Sequence, residues 1–200
     1  MRRIRLNVSF VTGVEARILD ATKVCCERWG IAKVSIDDIA AEARVSRATL
    51  YRLFPGGKDV LFDALRVREL EDFFTRLSAG VAGAFDLEDI VVRTVVTATQ
   101  ELRDDKHLAL MLMSEPGDTL SQLTVQGLPR IIRFASVFLQ PLVRPYLSLQ
   151  QSELLVDVLA RLVISYFLAP SDHVDFGADE PARHFIRTHI LPAFPPVDQQ

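Results

Sequence analysis

Charged and hydroxyl side chains are concentrated in the ten residues VSRATLYRLF, at positions 45–54. On a helical wheel of about 100° per residue, the apolar Leu50, Leu53 and Phe54 share one side. The outward side carries Ala48, Tyr51 and Arg52, and Arg47 and Thr49 flank it. Guanidinium groups can donate to guanine edges and phosphates, a tyrosine hydroxyl can donate to phosphate, and small side chains allow close approach to a major groove. These residues therefore indicate nucleic-acid recognition, while the alternative is a small helix with a solvated, charged face.

The ends of the neighbouring helices fit the same chemistry. Ser46 can cap the helix that carries this stretch, and Ser35 can cap the helix before it, because a serine oxygen accepts from the free N–H groups of a first turn. Lys58 begins the following helix, where an ammonium beside free backbone N–H groups suits a phosphate. The polar residues are therefore predicted to stand on short helices with defined ends.

Apolar residues recur at helical spacing along nearly the whole chain, with no sustained alternation of the kind that marks a strand. The sequence predicts an all-α protein of about nine helices. They cover about residues 14–29, 35–43, 47–54, 58–79, 86–103, 107–115, 126–146, 148–169 and 179–191. We expect the PGD stretch at 116–118 to end the sixth helix, Pro141 to bend the seventh, and Asp179 to cap the last.

Two short helices joined by a tight turn, with a polar side on the second, are typical of a helix-turn-helix. The charge distribution agrees. Residues 1–60 hold eleven Lys/Arg against seven acids, a balance of +4, and the other 140 hold twelve against nineteen, a balance of -7. Such an asymmetry indicates one end that faces nucleic acid and a body with another task.

The stretch ILDATKVCCERWGIAKVSIDDIAAEARVSRATLYRLFPGGKDVLFDAL resembles the N-terminal domain of the TetR (tetracycline-repressor) family of bacterial regulators. The matching features include ILDA, the glycine after an aromatic residue, IDDIA, VSRATLY, and the phenylalanine, lysine and leucine that follow, over roughly residues 14–65. The resemblance implies a helix-turn-helix DNA-binding domain at 10–57, with the motif itself at about 35–54, and a helical C-terminal effector-binding and dimerisation domain at 58–200.

The resemblance also implies roles for individual residues. Phosphate contacts are implied for Ser35, Ser46, Tyr51 and Lys58, and a base-facing position for Arg47, Ala48, Thr49 and Arg52. Two departures stand out. Arg44 replaces the glycine that the family usually has in the turn, so this residue is either strained or adds a phosphate contact. PGG is one residue longer than the usual spacing before the lysine, which weakens the assignment of Lys58.

Two C-terminal helices are expected to form a dimer interface. The helix at 154–169 is apolar nearly all round, apart from the stripe Asp157, Arg161 and Ser165, so it must be covered on two sides. The resemblance implies a four-helix interface between two chains. Its expected residues are Leu155, Leu159, Leu162, Phe185, Ile186 and His189. The alternative is a buried central helix in a monomer.

The resemblance also implies a small-molecule effector in the C-terminal domain, and an apolar lining would favour a lipophilic one with few charges. The candidate lining residues are Phe73, Phe74, Leu77, Met111, Met113, Phe134, Phe138, Leu142 and Tyr166. Aromatic and methionine residues at helical spacing are also what an ordinary core contains.

Other functions find no support in the sequence. There is no G-x-S-x-G, P-loop or G-x-G-x-x-G motif, so neither catalysis nor a cofactor is expected. His184 and His189 are five residues apart and point in different directions, so no metal site is expected. The adjacent Cys25 and Cys26 are expected to be reduced and partly buried, a redox role being the alternative. No membrane span or leader is apparent, and we expect a cytoplasmic protein.

The sequence thus predicts a DNA-binding transcriptional regulator, in particular a ligand-responsive repressor that binds a palindromic operator in double-stranded DNA as a homodimer. A lipophilic-ligand carrier or sensor, whose helix-turn-helix serves a protein partner, is the alternative. Salt dependence separates them, because DNA binding through several phosphates weakens steeply with salt.

Overall fold

A computed structural model describes residues 13–195, and every regular element in that range is helical. The all-α prediction is confirmed. The α-helices are α1 (Gly13–Trp29), α2 (Ile36–Glu42), α3 (Arg47–Leu53), α4 (Lys58–Val81), α5 (Leu87–Asp104), α6 (Lys106–Ser114), α7 (Pro116–Leu123), α8 (Leu128–Val143), α9 (Leu149–Leu168) and α10 (Asp179–Phe185). A π-helical segment (Ile186–Ile190) and a 3-10 turn (Leu191–Ala193) follow. The predicted domain limits at residues 10 and 200 lie outside the described residues.

The chain divides into two compact units, the first ending at Glu69 and the second beginning at Leu70. This division falls within α4, so that helix contributes residues to both units. The domain boundary expected from the sequence, between residues 57 and 58, is twelve residues earlier, where α4 begins. That boundary stays a prediction.

The first unit packs α1, α2, α3 and the start of α4 around one apolar core. Its central side chains, Ile18, Cys25, Ile39, Leu50 and Leu61, are all fully buried. Burial of a leucine or isoleucine side chain contributes about 1.5–3 kcal/mol. The core therefore supplies the stability that the seven-residue helices α2 and α3 lack on their own.

Serine caps define where these two short helices begin, as the sequence predicts. The Ser35 Oγ accepts from the Asp38 N–H at 3.2 Å, and the Ser35 N–H donates to the Asp38 carboxylate at 3.0 Å, which makes a capping box. The Ser46 Oγ accepts from the Thr49 N–H at 3.1 Å. Donation from the Ser35 hydroxyl and N–H lowers the pKa of Asp38.

Arg44 occupies the left-handed region, with a φ of 54°, in the turn between α2 and α3. The Arg44 N–H donates to Ala41 O at 3.1 Å and the Val45 N–H to Ala40 O at 3.0 Å. These two bonds make a Schellman motif, in which the left-handed position normally belongs to glycine. The strain considered from the sequence is therefore present, because a side chain at this φ carries a steric cost.

In the second unit, α5, α8, α9 and α10 enclose a larger core that includes Val91, Val95, Leu155, Leu159 and Ile186. Two sequence predictions are wrong here, and one helix was not predicted. α6 ends before Pro116 as predicted, but Pro116 also begins α7, a helix that the sequence did not indicate, because proline is well tolerated in a first turn. Asp179 is the first residue of α10 and does not cap it; its carboxylate accepts from Arg183 Nε at 3.0 Å. The last helix is also not a single α-helix, since α10 passes into the π-helical segment after Phe185.

A charged cluster joins α5 to α10 and the π-helical segment within the second unit. Arg183 Nη1 lies 3.3 Å from Glu88 Oε1, and Arg183 Nη2 lies 3.3 Å from Asp89 Oδ1. Arg187 Nη2 donates to Glu88 Oε1 at 2.6 Å. The Asp89 side chain is only 4% exposed and also pairs with Arg93 Nε at 2.9 Å. Removal of Arg183 would therefore take one partner from each of the two carboxylates, one of which is buried.

The cluster keeps both carboxylates ionised. Donation from Arg187 lowers the pKa of Glu88. Burial opposes the ionisation of Asp89, but donation from Arg93 and Arg183 outweighs it and lowers the pKa of that carboxyl. The pKa of Arg183 is raised because its guanidinium donates to Asp179, Asp89 and Glu88. The cluster therefore stabilises the second unit whenever the carboxylates carry charge.

The first prediction concerns the strained turn. Arg44→Gly should raise the free energy of unfolding of the first unit by about 0.5–1 kcal/mol, because relief of strain outweighs the extra chain entropy of glycine. Urea unfolding followed by the fluorescence of Trp29, the single tryptophan, measures it. Arg44→Ala is the matched control, since it removes the charge and retains the strain. Equal stability of the two variants would contradict the account.

The second prediction concerns pH. Carboxylates with a lowered folded pKa stabilise the protein above their unfolded pKa, near 4, and this stability is lost as the pH falls through the folded pKa. Asp89→Asn should reduce the free energy of unfolding by about 2 kcal/mol at pH 7 and flatten its dependence below about pH 4.5. Urea unfolding by circular dichroism between pH 3 and 7 tests this. Asp172→Asn, at an exposed position, is the matched control and should keep the wild-type dependence of the free energy of unfolding on pH.

Candidate nucleic-acid interface

The polar side of α3 is exposed in the structure, and its apolar side is buried. Leu50 is 0% exposed and Phe54 only 8%, whereas Ser46, Arg47, Ala48, Tyr51 and Arg52 are exposed and Thr49 is half-buried. The structure thus brings these predicted residues together on one continuous surface. Arg44, in the preceding turn, is exposed as well.

Arg47 is linked to α2 through an ion pair with Asp37. Arg47 Nη1 donates to Asp37 Oδ2 at 3.2 Å, and Nε lies 3.2 Å from Oδ1. The guanidinium also lies 6.0 Å from the centre of the Tyr51 ring. Both members of the pair are more than half exposed, so the pair contributes little stability. Arg47 can therefore leave Asp37 for another acceptor at small cost.

Both cap serines already use their hydroxyl groups within the first unit. The Ser35 Oγ donates to Asp38 Oδ2 at 2.6 Å, and the Ser46 Oγ lies 3.0 Å from Thr49 Oγ1. Each serine nevertheless has an exposed side chain. Their position at the N-terminal ends of α2 and α3 is also where backbone N–H groups and the helix dipole favour an anion.

The contacts of Lys58 differ from those that the sequence predicted. Its Nζ donates to Ile31 O at 2.6 Å and to Ala32 O at 3.5 Å, and lies 5.2 Å from the centre of the Phe62 ring. The phosphate contact expected for this lysine stays a prediction, and it would compete with these internal contacts. Neither the Lys58 contacts nor the Asp37 pair were foreseen, because each joins residues ten or more positions apart.

Apart from the two methionines, the predicted effector-site residues belong to one apolar cluster, in which the contacts between aromatic rings form two groups. Phe74 lies 5.2 Å from Phe73, 6.1 Å from Phe134 and 6.2 Å from Phe138, measured between ring centres. Leu77 and Leu142 belong to the same apolar cluster. Tyr166 instead packs at 4.4 Å from Phe176 and 6.2 Å from Phe185.

The two methionines of the expected lining differ sharply. Met111 is buried, whereas Met113 is 83% exposed. Met113 therefore lines no part of the core of the described chain, and its inclusion among the lining residues is corrected. The reason is helical periodicity, since two residues along α6 turn a side chain to nearly the opposite face.

The expected dimer residues are corrected in part. Leu155, Leu159 and Ile186 are buried within their own chain and cannot present their side chains to a partner. Leu162 and Phe185 are half-buried, and His189 is exposed with its ring 4.8 Å from that of Phe185. Periodicity identified α9 as buried on two sides but could not say which leucines face the chain's own core.

Between residues 13 and 195, no group of three or more His, Cys, Asp or Glu is arranged to hold a metal ion. Within the same range, none of the helices combines the length and apolar character that a bilayer crossing demands.

Comparison with known proteins identifies the first unit. Residues 18–65 match the sequence model of bacterial regulatory proteins of the tetR family. An uncharacterized HTH-type transcriptional regulator of Mycobacterium tuberculosis (strain H37Rv) is 27% identical over 120 residues, which are 56% of this chain and 61% of the relative. The alignment thus spans less than two thirds of that relative's length.

Solved structures extend the likeness to the whole fold. The TetR family repressor AlkX from Dietzia sp. strain DQ12-45-1b, implicated in biodegradation of n-alkanes, superimposes with a TM-score of 0.61 at 21% identity over 88% of this chain and 92% of its own. The SmeT–triclosan complex gives a TM-score of 0.53 at 18% identity over 92% of each chain. The geometry of the capped helix-turn-helix and the family match lead to one conclusion: residues 18–65 form a helix-turn-helix domain that matches bacterial regulatory proteins of the tetR family.

Proposed function

We propose that the protein is a DNA-binding transcriptional regulator, specifically a ligand-responsive repressor that binds a palindromic operator as a homodimer. The observation that carries the proposal is the exposed polar face of α3, which the fully buried Leu50 holds outward on a unit that matches the family. A regulator of this kind acts on chromosomal DNA, so we place it in the cytoplasm.

The proposed contacts follow from position and chemistry. Arg47 and Arg52 would donate to base edges, Thr49 and Ala48 would allow close approach, and Tyr51 would donate to phosphate. The N-terminal ends of α2 and α3, at Ser35 and Ser46, would add phosphate contacts through backbone N–H groups. Arg44 would add another, which would explain a charged residue at a position that costs stability.

The dimer proposal rests on the side of α9 that its own unit leaves exposed. Leu154 is 55% exposed, and the half-buried Val158 and Leu162 follow it at four-residue spacing. Residues four apart share a helix face, so these three form one apolar stripe. A second copy of the chain would cover this stripe, with Phe185 and His189 beside it.

The effector proposal rests on the aromatic cluster around Phe74 in the second unit. Similar folds occur in AlkX, which is implicated in biodegradation of n-alkanes, and in the complex of SmeT with triclosan. A small lipophilic effector would enter between these rings and favour one conformer, and control requires different affinities for two conformers. α4 carries residues of both units and would transmit the change.

The third prediction tests DNA binding. The double substitution Arg47→Ala with Tyr51→Ala should weaken binding to the promoter DNA beside the protein's own gene by about 100-fold or more, because each operator offers two half-sites. A gel-shift titration measures it, and wild-type binding should weaken steeply between about 50 and 200 mM salt. Arg144→Ala, on the exposed side of the second unit, should bind as the wild type does. Retardation of this DNA by the double variant at wild-type concentration would refute the assignment.

The fourth prediction tests the dimer. Leu154→Glu should convert the protein from dimer to monomer, because a carboxylate would be buried in an apolar contact without a partner. Sedimentation velocity measures the change, and operator affinity should fall with it. Val125→Glu is the matched control, since Val125 is 82% exposed after α7 and should not alter the oligomeric state. A dimeric Leu154→Glu protein would place the interface elsewhere.

A further inference from the structure

Lys58 makes a set of contacts that a phosphate-binding lysine does not need. It is the first residue of α4, yet its Nζ donates to Ile31 O at 2.6 Å, 27 residues earlier in the chain. A second, longer contact of 3.5 Å reaches Ala32 O. The ammonium also lies 5.2 Å from the centre of the Phe62 ring, one turn further along α4. The charge is therefore directed into the first unit.

The carbonyl groups that Lys58 contacts belong to the turn between α1 and α2. Gly30, with a φ of 79°, ends α1, and its own carbonyl accepts from Lys33 at 3.2 Å and from Val34 at 3.3 Å. The next two carbonyls, of Ile31 and Ala32, accept from Lys58. This turn continues through the buried Val34 to Ser35, the N-cap of α2. The ammonium thus holds the segment that leads into the helix-turn-helix.

The glycine pair before Lys58 makes this placement possible. Gly56 and Gly57 have φ values of 122° and 72°, which side chains rarely adopt. A Cβ on Gly57 would lie 3.4 Å from Cε1 of Tyr51, so the chain passes close beneath that ring. The extra residue of PGG therefore serves a sharp reversal between α3 and α4, at whose end Lys58 faces the Ile31 and Ala32 carbonyls.

Phosphate binding would draw on the same few donors. An ammonium has three N–H donors, and two of them are directed to carbonyl oxygens here. Hydrogen bonds from a charged donor are stronger than neutral ones, and the partly buried Ile31 carbonyl would lose such a bond if Lys58 turned away. A phosphate contact by Lys58 would have to break one of these two hydrogen bonds or use only the third N–H donor.

We propose that Lys58 is a positioning residue, which ties the start of α4 to the turn before α2 and so sets the placement of the helix-turn-helix without contacting phosphate. The effect on operator binding rests on the proposed DNA-binding function, whereas the contact of Lys58 with the turn does not depend on it. Any displacement of the start of α4 must either break the contact or carry the turn with it. Lys58 therefore couples the position of α4 to that of Ser35 and α2.

The test combines two readouts on Lys58→Met, which keeps the aliphatic stem beside Phe62 and removes the donors. In the free protein, amide hydrogen exchange in residues 30–36 should become faster. Operator affinity should fall about tenfold, while the slope of log affinity against log salt concentration stays as in the wild type. A true phosphate contact would instead reduce that slope by about one per lysine. Arg52→Ala, on the exposed face of α3, is the control that should leave exchange in 30–36 unchanged.

Lys58→Arg provides an independent test of a positioning role against a phosphate contact. This test also applies if Lys58→Met does not fold. A guanidinium is larger and planar, so it cannot occupy the position of the compact ammonium between the two carbonyls and the Phe62 ring, but it binds phosphate well. The proposal therefore expects weaker operator binding and faster exchange in 30–36, whereas a phosphate contact would be preserved. Unchanged exchange together with a reduced salt slope in Lys58→Met would overturn the proposal. If the wild type bound no DNA, the proposed function would fail, and the exchange readout would still decide whether Lys58 holds the turn.

Discussion

Burial of Leu50 is the constraint on which the candidate interface depends. A seven-residue helix has too few internal hydrogen bonds to persist alone, so α3 exists because its apolar side packs against α1, α2 and α4. Once Leu50 is fully buried, helical periodicity turns Ala48, Tyr51 and Arg52 outward. Arg47 flanks this face as the exposed first residue of α3, so most of the polar surface follows from the core of the first unit.

The caps and turns at the ends of α2 and α3 determine geometry that the apolar core does not fix. Ser35 and Ser46 fix the first turns of α2 and α3, and the Schellman motif at Arg44 sets the angle at which the chain passes between them. Arg44 keeps this geometry at a steric cost that glycine would avoid. The first unit is thus less stable than it would be with glycine at position 44, but it carries an exposed positive charge beside the proposed DNA-binding face of α3.

The second unit relies on a different combination of forces. Its apolar core is large, but a charged cluster also links its helices, in which Arg183 joins α10 to Glu88 and Asp89 of α5. Buried charge carries a desolvation cost, and such clusters define which surfaces meet more than they add stability. The cluster holds α10 in place immediately before the π-helical segment begins.

Much of the fold and part of the interface could be predicted from the sequence, because they depend on neighbours along the chain. Helical periodicity indicated the all-α class and the outward face of α3, the N-cap preference of serine indicated the two caps, and the glycine-to-arginine departure indicated strain at Arg44. Local patterns failed where several roles fit the same residue, as with Pro116, which follows the end of α6 as predicted but also begins α7, a helix that was not predicted. Only the tertiary structure could assign Leu155, Leu159 and Ile186 to the chain's own core, expose Met113, and join Lys58 to Ile31 and Arg47 to Asp37. The physical reason is that burial and long-range pairing depend on which surfaces pack together, and no spacing along the chain encodes that choice.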